Sequence, residues 1–145
     1  MKLKRNYLLI VLLGLFLLIQ LIPVDRENSS SNPKSEIRAP QEVMTILKNS
    51  CYDCHSNQTN WPIYSYIAPV SWLVSRDVKK GRSHLNFSEW NSLSPEKKNK
   101  SREEIVEEIS ADEMPLSIYL IMHSEAKLSD KEKMIIKKWA DSTVD

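Results

Sequence analysis

Glycine is nearly missing from this chain. Only Gly14 and Gly81 occur in 145 residues, and Gly14 lies inside an apolar run, so the remainder has one glycine for every tight turn it makes. Hairpin loops lean heavily on glycine, and no stretch alternates apolar and polar residues as a half-buried strand does. A hairpin-rich β fold is excluded. An excess of one charge is missing too. Without residues 1–24 the chain keeps seventeen Lys and Arg against nineteen Asp and Glu, a net −2. That leaves no electrostatic footprint for nucleic acid. The mixed run "EKKNKSREEIVEE" from Glu96 to Glu108 reads as the solvated face of a helix. No internal repeat is visible.

What is present begins with a long apolar run. Tyr7 to Val24 is eighteen residues without charge and with one amide, Gln20, preceded by Lys2, Lys4 and Arg5. The run has the length of a transmembrane helix, and the flanking cations predict a cytoplasmic amino terminus. A cleaved signal peptide is the alternative, but the run ends in "LIQLIPV", with no small-x-small cleavage site and no lipoprotein cysteine. The expectation is therefore a single-pass bacterial inner-membrane protein with its carboxy-terminal part on the periplasmic side. Residues 1–24 form the anchor or signal, 25–40 ("DRENSSSNPKSEIRAP") a flexible linker, and 41–145 the domain.

That domain reads as all-α, a small helical unit with long irregular segments. Val43, Ile46 and Leu47 follow Pro40 at helical spacing. Pro69 opens a helix bearing Val70, Leu73, Val74 and Val78, which Gly81 is placed to end. Ser94–Pro95 caps a third helix carrying Ile105, Val106 and Ile109, and Ser129 with Glu132 makes a capping box before Met134, Ile135 and Trp139. A domain this small is marginal on its own core, so something further is expected to hold it together.

Both cysteines fall in "NSCYDCHSNQTNWPIYS", with His55 directly after Cys54. A thiol–disulfide catalyst is expected at a helix start beside a strand, and no strand precedes this pair. Zinc needs four ligands, but His84 and His123 lack the usual paired spacing. An incidental disulfide leaves the position of His55 unexplained. Covalent haem uses all three residues: the thiols add across the vinyl groups, and the next imidazole reaches the iron. It also supplies apolar core.

The domain resembles a bacterial family of membrane-tethered haem-binding domains, similar in plan to small c-type cytochromes. The resemblance covers about residues 41–141 and rests on "CYDCHSNQTNWPIYSYIAPVSWLVSRDVKKGR", "LNFSEW" and "EMPLSIYLIMHSEAKLS". It implies one haem c attached at Cys51 and Cys54, with His55 as an axial ligand.

Three residues compete for the other side of the iron. Met114 stands before Pro115, late in the chain, and a thioether there suits electron transfer. His123 falls on a stripe with Leu116 and Tyr119 or Leu120 if Pro115–His123 is a helix. His84, after Gly81, reads as a surface residue. Trp61, Trp72, Trp90 and Trp139 are expected around the haem or in the core, and Arg82 is a candidate partner for a haem propionate. A haem with both axial positions filled carries electrons, here to or from an unidentified membrane-associated redox partner. The alternatives are a sensory or ligand-binding haem domain, or a haem enzyme, with an open or displaceable distal site.

Overall fold

The computed structural model describes residues 2–142; Met1 and residues 143–145, the ends of the anchor and domain segments, lie outside the described residues. The described residues form helices and no strand. Helix α1 spans Lys2–Ile19, α2 Gln41–Ser50, α3 Tyr52–His55, α4 Val70–His84, α5 Pro95–Ser110, α6 Ser117–Leu120 and α7 Asp130–Asp141. Short 3-10 turns occupy Ile63–Tyr66, Phe87–Ser92 and Ser124–Ala126.

The apolar amino terminus corrects one expectation. The run Tyr7–Val24 is not one helix, because α1 ends at Ile19. Beyond it the Gln20 side chain donates to the Ala68 carbonyl at 3.2 Å and accepts from the Ala68 amide at 2.9 Å. The apolar part of α1, Tyr7–Ile19, rises only about 20 Å, against the roughly 30 Å of a bilayer's hydrocarbon core. Among the described residues no helix is long and apolar enough to cross a membrane. The transmembrane helix, and the single-pass inner-membrane location built on it, are therefore withdrawn.

Segment 25–40 contains no helix and runs along the domain. Asn28 and Thr59 exchange hydrogen bonds at 2.9 and 3.2 Å. The Ile37 amide donates to the Phe87 carbonyl at 2.8 Å, and the Ile37 side chain is buried in the core.

The helix ends follow local chemistry. Ser94 caps α5 with Pro95 in its first turn, and Ser129 and Glu132 form the reciprocal capping box of α7. Each such cap contributes about 1 kcal/mol. Gly81 behaves otherwise: it lies inside α4, three residues before the end at His84. The stripe proposed for Pro115–His123 does not form, because α6 ends at Leu120 and His123 leaves the helical region at φ −135°.

The chain closes its core with its own side chains. Val43, Ile46 and Leu47 of α2 meet Ile109 of α5 and Ile136 and Trp139 of α7, with Phe87 and Trp90 inserted from the 3-10 turn. Trp90 is 2% exposed and lies 6.2 Å from the Phe87 ring and 6.1 Å from Trp139. The Arg102 guanidinium sits over both indoles. Two of the four tryptophans are thus core residues, whereas Trp61 is half-buried and Trp72 sits at the surface.

Trp90→Ala should cost about 3–5 kcal/mol of unfolding free energy, read as a lower urea midpoint with an unchanged slope. A loss below about 1 kcal/mol would mean that this ring does not hold the core.

Candidate functional site

Helix α2 hands the chain to α3 through Cys51, whose amide still donates to Leu47 at 2.9 Å. One turn later the His55 amide donates to the Cys51 carbonyl, also at 2.9 Å. A single helical turn therefore presents Cys51, Cys54 and His55 together. All three face a cavity of about 630 Å³, whose other walls include Leu73 and His84 of α4, Met114 and Tyr119. A smaller cavity of about 180 Å³ shares Cys51, His55 and Met114.

The imidazole has a fixed tautomer. His55 Nδ1 lies 3.0 Å from the Leu85 carbonyl oxygen, which can only accept, so Nδ1 carries the proton and Nε2 keeps its lone pair. A ligand histidine is oriented by such a bond at its far nitrogen. Burial holds His55 below its ordinary pKa, partly opposed by its backbone hydrogen bonds. The neutral, ligating form is thereby favoured. The ring also meets Phe87 edge-on at 6.2 Å, which ties it to the core.

Both thiols are free and held protonated. Burial, then the neighbouring Cys54, pushes Cys51 up to about 12. Burial followed by Asp53 and Asp77 pushes Cys54 up to about 11, with Arg82 opposing. Thiol–disulfide catalysts need the reverse, a thiolate at ambient pH. By linkage, a raised folded pKa gives stability that is fully present below the ordinary thiol pKa and is lost as pH rises through the folded values, from about 11 to about 12.

The three candidates for the distal position are placed differently. Met114 is half-buried and lines both cavities with His55. His84 stands exposed on their rim, with Nε2 3.8 Å from Glu104. His123 is not among the lining residues, and both its nitrogens are engaged. Nδ1 donates to Glu125 at 3.2 Å, and Nε2 accepts from the Tyr64 hydroxyl at 2.6 Å. Its ring stacks on Tyr119 at 4.3 Å. Arg82 likewise makes four hydrogen bonds, to the carbonyls of Ser56 and Glu27, Asn28 Oδ1 and Thr59 Oγ1, at 2.7–2.9 Å.

Sequence reasoning missed two members of the site. The Leu85 carbonyl is a backbone group and leaves no trace in residue type. Asp53, inside the motif, accepts from Tyr119 Oη at 2.9 Å and from the Asn60 amide at 2.9 Å. Its position between the cysteines is the only hint the sequence carries.

The geometry defines a class first: a helical domain whose cavity gathers two neutral thiols, an imidazole with a free Nε2, and a thioether. The chain matches the haem-binding domain family over residues 14–142 and belongs to it. Haem is its ligand. Comparison with curated proteins and with solved structures gives no match. The residues fit the group: the cavity falls within the about 300–1,000 Å³ of cofactor sites, and its donors are those that haem iron accepts.

In the full chain prepared without haem, iodoacetamide at about pH 8, near the ordinary thiol pKa, should alkylate both cysteines far more slowly than free cysteine. The rate should climb steeply towards pH values of about 11. Cysteines that react like the free amino acid at neutral pH would show that the thiols are solvated.

Proposed function

We propose that the chain attaches one haem covalently through Cys51 and Cys54, with His55 as an axial ligand, and carries electrons. The observation that carries this reading is the His55–Leu85 hydrogen bond, which leaves Nε2 available in the cavity that both thiols line. Cys51 and Cys54 would hold the group by adding S–H across its two vinyl double bonds, sulfur to one carbon and hydrogen to the other, and the backbone turn from Cys51 to His55 keeps the imidazole beside them. Met114 is the proposed distal ligand, supported by its position on the same cavity walls as His55. His123 is the weaker candidate, since its Nε2 lone pair already accepts from Tyr64. Bound haem supplies an iron that cycles between ferrous and ferric states, and filling both axial positions leaves electron exchange as its chemistry. The redox partner is a second protein, outside this chain.

Protein made with a c-type maturation system should keep a haem-staining band on denaturing gels, and acid–organic extraction should leave the pigment on the chain. Complete extraction would remove the covalent reading. Met114→Ala should lower the potential and let the ferrous protein bind carbon monoxide, while His123→Ala should leave the low-spin spectrum intact. If the unmutated ferrous protein binds carbon monoxide readily, the distal side is open. Ligand sensing or catalysis then replaces electron carriage.

A further inference from the structure

Gly81 is the only glycine beyond α1, and it sits in the interior of α4 with ordinary helical backbone. Glycine is a poor residue there, because it weakens helices relative to alanine. Its backbone conformation gives no reason for it, since any residue can adopt it. The reason is space. A Cβ built on Gly81 would lie 2.5 Å from the Cys54 carbonyl oxygen, 3.0 Å from its carbonyl carbon and 3.2 Å from its Cβ. These are mostly backbone atoms of a buried turn, which cannot swing aside as the end of a long side chain can. The absent methyl group lets α4 press directly on the second cysteine of the motif.

We infer that Gly81 is a positioning residue for Cys54: the bare helix surface at this point sets where the second thiol stands relative to Cys51 and His55. The inference rests on the reading of Cys51 and Cys54 as haem attachment points, but the contact itself involves only atoms of Gly81 and Cys54. Two neighbours, Arg82 in α4's last turn and Leu85 just after the helix, serve the same end. Arg82 Nε donates to the Ser56 carbonyl at 2.7 Å, and the Leu85 carbonyl accepts from His55. Together residues 81–85 grip Cys54, His55 and Ser56 in succession. Gly81 alone does so by lacking atoms, so any side chain at this position must push α3 and α4 apart.

The test compares Gly81→Ala with the unmutated full chain, using Gly14→Ala, whose added Cβ meets nothing within 4 Å, as the control for glycine replacement. In protein without haem, residue-resolved alkylation should show Cys54 reacting faster by roughly tenfold or more, as local opening frees it, with Cys51 near its original rate. Far-UV dichroism should show helix content kept or raised, since alanine favours helix. In protein matured with haem, peptide mass analysis should find the pigment held by Cys51 alone in a large share of molecules. The reduced pyridine spectrum should then shift to longer wavelength, because one vinyl group remains. Gly14→Ala, which adds its methyl group in open space, should leave both thioethers formed. Unchanged alkylation of Cys54 in Gly81→Ala would overturn the inference. So would an equal rise at Cys51 and Cys54, which marks general loosening. If the unmutated chain carries haem only non-covalently, the attachment reading fails, while the alkylation ratio still decides the role of Gly81.

Discussion

The site depends on how closely α4 crosses α3. Helix α3 is four residues long, too short to be stable by its own hydrogen bonds, since a first helical turn fixes many torsions for one bond gained. What orients Cys51, Cys54 and His55 must come from outside the turn. The end of α4 and the residue after it supply it, through a close approach at Gly81, a guanidinium at Arg82 and a carbonyl at Leu85. Arg82 also reaches back to Glu27 and Asn28, so segment 25–40 is recruited to hold α4 in place.

Core and site are separate but joined by a short bridge. The apolar cluster of α2, α5 and α7 is closed by the protein's own side chains and leaves the cavity at its edge. Tyr52, which follows Cys51, stacks on Phe87 at 5.6 Å, and Phe87 in turn meets His55. A ring packed to interior density transmits position well, because neighbouring side chains have little room to move. The imidazole is thus referenced to the core on one side and to α4 on the other. The side-chain cluster and the cavity are thus neighbours that share Phe87 as their link.

What could be read beforehand was local or chemical. Ser94 and Ser129 announce helix starts because their hydroxyls act within three residues, and Cys51, Cys54 and His55 announce haem because few chemistries use all three. The failures share a cause: each depended on a partner distant in sequence. Gln20 carries no charge to interrupt an apolar run, yet its bonds to Ala68, forty-eight residues away, mark the end of α1 as a folded corner. Arg82 read as a surface residue or a propionate partner, and its contacts to residues 27, 28, 56 and 59 left no trace in the sequence. His123 kept helical spacing in the sequence, but the helix stops at Leu120 and the ring turns towards Tyr64. Gly81 was read as a stop signal because glycine ends helices more often than it thins them. An isolated glycine within a helical pattern usually has a packing reason, and here that reason is Cys54.

The same burial acts on three ionisable groups in a consistent direction. It raises the two thiols and lowers the imidazole, so at neutral pH the neutral forms of these three side chains are favoured. An unpaired charge in such a place would cost several kcal/mol, and neutralisation is the cheaper outcome. Of the carboxylates beside Cys54, Asp53 accepts from the Tyr119 hydroxyl on one oxygen and from the Asn60 amide on the other. The cavity wall combines these neutral sulfur and nitrogen groups with the ionisable side chains of Arg76, Asp77 and Lys80 from α4. Burial and the α4 contact therefore act together: one favours the neutral forms of Cys51, Cys54 and His55, and the other fixes where they stand.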